Sequence, residues 1–188
     1  MVKNSEWGAV AYLAQSSYGT NGEKIQRNSS NYVTGGSSTG VYTDNVNQST
    51  TYNPYGVYDM NGTSWEYVAA YVNNGASNLS NGGDITSTVA QSTKYKTVYP
   101  STVNNGSDAS EADYVLNANV RGDAVYETSN SHRDVNSWFW AESDFPDSNY
   151  PFFGRGSLFY NINGGAFCFN QGDGLGYNFV TCRLALVF

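Results

Sequence analysis

Few residues in this chain are of the types that carry catalytic chemistry, and their spacing argues against most of what they suggest. His132 is the only histidine among 188 residues, so a three-histidine metal centre is excluded. Its setting, His132-Arg133-Asp134, resembles part of a kinase catalytic loop, but no glycine-rich loop with its lysine precedes it. Cys168 and Cys182 lie fourteen positions apart, which is no metal-ligand spacing. They could face each other across neighbouring strands as a disulfide or stand as two thiols. Glu142, Asp144 and Asp147 could surround a calcium ion, although a solvated acidic loop has the same composition and is the simpler reading. Gly172-Asp173-Gly174-Leu175-Gly176 is glycine-rich, yet no helix start follows it, as a phosphate cradle would require. Arg121-Gly122-Asp123 matches an adhesion tripeptide, and three residues carry little information. No Gly-x-Ser-x-Gly elbow is present. Neither a metal nor a cofactor is expected, and catalysis has thin support.

Composition narrows the remaining classes. Sixteen acidic residues stand against nine Lys and Arg, a net charge of −7 without any basic run. Nucleic acid and anionic membrane surfaces both need clustered cations, so neither is an expected partner. Charged residues make up only 13 %, but aromatic residues reach 15 %, including 16 Tyr and 4 Trp, which separates the chain from disordered sequence. No apolar run approaches the ~18 residues of a membrane span. The opening MVKNSEWGAV lacks the apolar stretch of a signal peptide, and any anchor would stand upstream of Met1. A polar, uncharged, Tyr-rich chain with many turns suits an extracellular, cell-surface or particle-surface protein.

The positioning elements follow from periodicity. Trp7, Val10, Ala11 and Ala14 recur at helical spacing, with Ser5 as the cap and Tyr18-Gly19 as the stop. Residues 20–53 read as long loops with one short strand near Tyr32, and residues 73–93 as another loop. Trp65–Tyr71 is an aromatic, β-branched run, and Asp108–Asn117 patterns as a second helix. Short strand candidates follow at Ala124–Glu127, Ser137–Ala141, Phe152–Gly154, Ala166–Phe169 and Cys182–Phe188. One α+β domain over residues 1–188, with long loops, small antiparallel sheets and about two helices, is the economical architecture.

Within that frame, "YGVYDMNGTSWEY" (Tyr55–Tyr67) resembles the "G-x-Y-D-M-x-G-N-V-W-E-W" signature of formylglycine-generating enzymes and the wider group on their C-type-lectin-like scaffold. Gly154-Arg155-Gly156-Ser157 is similar to that family's "R-G-G-S" strand start, and Thr181-Cys182-Arg183-Leu184 to its terminal "G-F-R" strand. The resemblance implies a C-type-lectin-like fold of the formylglycine-generating-enzyme type. It implies that Tyr58, Met60 and Trp65 pack the core, Asn61-Gly62 turns the chain, and Asp59 and Glu66 bond to nearby backbone. The family's enzymes use a copper-binding cysteine pair. Here Cys168 stands inside "GAFCF" and Cys182 where Phe is usual, so the oxidase activity is not carried over.

The tail from Arg155 is similar to the variable region of proteins diversified by retroelements, in which adenine-directed mutagenesis changes surface residues between fixed scaffold ones. Ser157, Thr181 and Cys182 depart from that pattern, and Gln171 cannot arise from an Asn codon by adenine mutagenesis. The resemblance implies a ligand-binding region over residues 155–188, with Leu158, Tyr160, Asn161, Asn163, Asn170, Asp173, Leu175, Tyr177 and Asn178 displayed. Side-chain physics agrees: Tyr and Phe offer rigid contact area at low entropy cost, while Asn, Ser and Gly adapt their hydrogen bonds. Tyr160, Tyr177 and Phe179 are the expected anchors, with Asn161, Asn163 and Asn178 around them. The competing reading makes these ordinary turn residues. Arg155 and Arg183 are expected to pin loop carbonyls. The expected partner is a protein or glycan on a cell or phage-particle surface, met without catalysis. An enzyme with Cys168 and Cys182 as redox residues, or a pilus or tail-fibre subunit, are the alternatives.

Overall fold

The computed structural model describes residues 1–22, 49–62, 64–87, 93–102, 109–131, 138, 143–158 and 164–185. The expected strands near Tyr32 and at Ser137–Ala141 fall outside them, apart from Trp138. The first helix, α1 (Asn4–Gln15), starts one residue before Ser5. Its N-cap is Lys3, whose backbone N–H donates to the Glu6 carboxylate at 2.8 Å, the return arm of a capping box. The helical-spacing residues Trp7, Ala11 and Ala14 are buried with Gly8 and Asn4 between them. The helix stops at Ser16, earlier than Tyr18-Gly19, because the Ser16 amide and hydroxyl both turn back onto the Leu13 carbonyl.

The chain is α+β, with one mixed sheet where small antiparallel sheets were expected. Strand β1 (Trp65–Asn73) is its spine. Along one edge it pairs in parallel with β5 (Val180–Cys182) at Trp65–Tyr67 and with β2 (Thr97–Pro100) at Ala70–Asn73. Between those two short strands sits Val2, whose amide donates to the Arg183 carbonyl and whose carbonyl accepts from Ala69. The other edge pairs antiparallel with β3 (Phe152–Arg155), which pairs antiparallel with β4 (Phe169–Gly172). Parallel neighbours need long crossovers, and the connections leaving β1 are long enough to supply them.

Alternation along the strands sorts two faces. Val68, Ala70, Val72, Phe153 and Phe169 face a core closed by Trp7, Ala11 and the rings of Tyr99, Tyr126 and Phe145. Those rings pack edge-on or tilted, as in Phe145–Phe169 at 4.7 Å and Tyr99–Phe153 at 5.1 Å. The opposite face carries Tyr67, Tyr71 and Phe152, with ring centroids 6.5 and 6.1 Å from Phe152. A 3-10 segment, Ser77–Ile85, occupies part of the expected 73–93 loop. The second helix, α2 (Ala109–Asn117), matches the sequence expectation where the residues are described.

Two expected strands change because side chains claim their backbone groups, and a third shifts along the chain. At Ala124–Glu127, the Glu127 carboxylate accepts from the Gly122, Ala124 and Val125 amides, while Arg155 donates to the Asp123 and Ala124 carbonyls. No ladder can form there, Ala124 adopts φ 53°, and a 3-10 turn, Tyr126–Thr128, follows. At Ala166, the Trp7 indole donates to the carbonyl at 2.7 Å, so the strand begins only at Phe169. The last strand is Val180–Cys182, so of the expected Cys182–Phe188 strand only Cys182 lies in a strand among the described residues, residues 186–188 falling outside them. β2 has no counterpart among the sequence expectations.

Arg155 has no exposed surface and holds the core together. It donates to the Asp123 carbonyl at 3.2 Å, to the Ala124 carbonyl at 3.0 Å and to Asn4 Oδ1 at 3.5 Å, between the rings of Trp7 and Phe169. Burial lowers its pKa to about 10, which leaves it protonated at neutral pH. Its role as a carbonyl-pinning cation is as expected. Arg183 reaches the loop carbonyl of Asp59 at 3.4 Å as expected, and also forms a two-point pair with Glu66 at 2.6 and 2.9 Å. Glu66 therefore pairs with an arginine 117 positions away, and not with nearby backbone. Met60 is buried in the core, whereas Tyr58 and Trp65 are only half-buried.

Candidate functional site

The sheet face away from the core carries two adjoining hollows, and the loop Asp173–Phe179 straddles both. That loop leaves β4 and returns to β5, which brings it across Tyr67 on the central strand. Gly172 at the end of β4 and Gly174 in the loop both have packing reasons. A Cβ on Gly172 would collide with the Tyr67 ring, and one on Gly174, which stands at φ 85°, would collide with Phe152. The glycine-rich run crosses from strand to strand without a helix.

Asp173 is the hub of the loop. Its carboxylate accepts the Tyr177 hydroxyl at 2.6 Å and the Leu175 amide at 3.0 Å, with the Tyr67 hydroxyl at 3.5 Å. The Gly174 amide donates to the Tyr67 oxygen at 3.1 Å, and Asn81 from the 3-10 segment donates to the Asp173 carbonyl at 2.8 Å. The hydrogen bond to Asp173 holds the Tyr177 phenol above its ordinary pKa. Burial does the same for Tyr67, with the Asp173 charge adding to it. Both phenols are therefore neutral donors at physiological pH.

The first hollow, about 270 Å³, has Gly154 in its floor, in register between Tyr67 on β1 and Asn170 on β4. Its aromatic walls are Trp65, Tyr67, Tyr150, Tyr177 and Phe179. Tyr177 and Phe179 lie stacked, with centroids 5.3 Å apart and planes within 8°, and both are about half exposed. The second hollow, about 310 Å³, is more apolar, with Phe152, Ile85, Leu175, Val180 and Cys182 among its lining. Its neighbour shares Tyr67 and Val180.

Of the residues expected to bind, Asn170, Asp173, Tyr177 and Phe179 meet at the first hollow and Leu175 at the second. Asn178 is exposed between Tyr177 and Phe179 but lines neither hollow, and Leu158 is half-buried away from both. Tyr160, Asn161 and Asn163 lie outside the described residues. Trp65, Tyr67 and Tyr150 are additions. Trp65 and Tyr67 stand two apart on β1, with Glu66 and Val68 facing the other way, so a period-two reading of "WEYV" would have placed them on one face.

Elsewhere the suggestive patterns are used internally. Asp123 of the adhesion-like tripeptide is buried and accepts the Tyr99 hydroxyl at 2.6 Å. Asp144 accepts from Gln171, and Asp147 closes an Asx turn onto the Asn149 and Tyr150 amides. Among the described residues no group of three metal-ligating side chains converges. Cys168 is buried and Cys182 exposed, and they are not bonded to each other. No described helix is long and apolar enough to cross a membrane. No family model matches this chain, and no curated protein or solved structure does either.

Proposed function

We propose that this chain is a non-catalytic recognition protein that displays a binding face from its C-terminal strands and loops on a C-type-lectin-like scaffold of the formylglycine-generating-enzyme type. Its setting is a bacterial or phage surface, its partner a protein or glycan there, and its tail a candidate for retroelement diversification. The observation that carries the reading is the exposed Asp173–Phe179 loop, whose stacked rings wall one hollow and whose Leu175 lines a second on the sheet face remote from the core. Large rigid rings beside concave surface supply contact area with little ordering cost. The Asp173 network pre-organises the loop before any partner arrives.

The test is binding of labelled protein to immobilised bacterial cells and to a glycan array. It compares the native chain with a variant carrying Leu175→Ala, Tyr177→Ala and Phe179→Ala together. Loss of retention with an unchanged circular dichroism spectrum supports the face, and undiminished retention by the variant overturns it. Diversification has its own test in the coding DNA. A near-copy of the 155–188 segment, differing at adenines and lying beside a reverse-transcriptase gene, is the expected finding; a neighbourhood without one sinks that part.

A further inference from the structure

We infer that the first hollow is a site for an organic cation, an alkylated ammonium or a guanidinium, carried by a free small molecule or presented on a partner protein's side chain. The inference deepens the recognition reading and rests on it for the site's biological use.

Three observations converge. Five aromatic side chains line one cavity of about 270 Å³, large enough for a single headgroup and little more. Among the described lining residues Asp173 carries the only formal charge, and none is Lys, Arg or His. The whole chain adds a net charge of −7, so the field at the hollow attracts cations. Aromatic faces bind cations through the ring quadrupole. A phenol that donates to a carboxylate gains electron density on its ring, and Tyr177 does so at 2.6 Å.

Several polar atoms around the hollow are already engaged within the protein, while Gln171 Oε1 is a buried acceptor without a partner among the described residues. Asp173 already accepts from Tyr177 and Leu175, Gln171 donates to Asp144 at 2.7 Å, and Asn170 Oδ1 takes the Gln171 amide at 2.8 Å. A cation needs only the ring faces and the charge behind them.

The experiment titrates the full chain, followed by Trp65 and Tyr177 resonances in NMR, with four probes. These are choline, its neutral isostere 3,3-dimethylbutan-1-ol, arginine amide and methyl β-glucoside. Saturable shifts with choline or arginine amide, about fivefold tighter than with the neutral isostere, are expected. The first cation alone marks a free ammonium ligand, and a preference for arginine amide marks a partner's side chain. Asp173→Asn and Phe179→Leu should each weaken the cation about fivefold; the second leaves the Asp173 bonds in place, so a loop disturbed by the first does not decide the matter. Equal binding of choline and its isostere, or tighter binding of the glucoside, overturns the inference. So does the absence of any cation shift in folded protein. If cations fail while the triple alanine variant still loses surface retention, the cation assignment falls and the recognition face stands. If cations bind and that variant keeps its retention, the recognition reading falls instead.

Discussion

Two tyrosine–aspartate pairs in this molecule have the same hydrogen-bond length and opposite fates. Tyr99 donates to Asp123 at 2.6 Å in the core, and Tyr177 donates to Asp173 at 2.6 Å on the surface. Around Asp123 the structure supplies Arg155, whose guanidinium spans the neighbouring carbonyls between two aromatic rings. Around Asp173 no described residue lining the hollow brings a cation. The buried pair is completed from within and spends its polarity on fixing the fold. The surface pair uses its hydroxyls to shape a loop and leaves its charge and ring faces available to something else. The same residue types therefore build scaffold in one place and an open site in the other, and the difference is whether a counter-charge was folded in.

The largest test of that contrast is Arg155→Met. Removing the buried guanidinium leaves the Asp123 and Ala124 carbonyls and Asn4 Oδ1 without this donor and takes away the cation near Asp123, and the expected loss is about 3–5 kcal/mol of unfolding free energy. Urea titration measures it. A loss under about 1 kcal/mol would mean that burial alone, and not the arginine, organises the Asp123 region.

Tyr99→Phe comes next. The hydroxyl accepts from Asn4 at 3.1 Å as well as donating to Asp123, so its deletion strands two buried groups. The expected cost is about 1–3 kcal/mol by the same titration. Burial raises the Asp123 pKa, while the Tyr99 bond opposes that rise. In the variant the carboxyl should therefore titrate higher still, readable by NMR.

Much of the scaffold side of this comparison was legible before the fold. Trp7, Ala11 and Ala14 predicted α1, Phe152–Gly154 predicted β3 to within a residue, and Arg155 was read as structural. The departures each have a physical cause. Ala124–Glu127 has strand-like residues, but Glu127 and Arg155 occupy its backbone, and no local pattern encodes an arginine arriving from about thirty positions downstream. Trp65 walls a hollow although the resemblance around Tyr55–Tyr67 implies a core role, while its alternation with Glu66 points to the open face. Asp173 was one loop residue among nine, since its role depends on Tyr67, 106 positions earlier. β2 escaped because four residues between turns carry almost no periodic signal.

A third carboxylate sharpens the contrast by having neither device. Asp113 on α2 is covered, and burial raises its pKa to about 6, with the Ser101 hydroxyl pulling the other way. The native state thus holds this proton more tightly than the unfolded chain, whose carboxyl titrates near 3.8. Its contribution is fully present below pH ~4 and is lost as pH rises through about 6. The helix is peripheral, with Val115 and Leu116 exposed, so water nearby reduces the effect to about 1–2 kcal/mol between pH 4 and 7. Asp113→Asn should remove that slope from the pH dependence of the urea midpoint. An unchanged slope would show that the charged form of Asp113 costs the native state nothing measurable.

The smallest effect on stability belongs to Tyr177→Phe, the surface counterpart of Tyr99→Phe. Tyr177 is about half exposed, and water can replace its hydroxyl at Asp173, so the urea midpoint should not move measurably. What should change is titration. The bond to Asp173 raises the Tyr177 pKa above the ordinary phenol value, so its stabilising share is intact at neutral pH and lost only as pH climbs through that raised value. The alkaline absorbance difference between native chain and variant isolates this one phenol, and its midpoint should lie above an unperturbed tyrosine. A midpoint at the ordinary value would mean the Asp173 bond is not held in solution. The loop would then lack the pre-organisation that sets the surface pair apart from a simple exposed tyrosine.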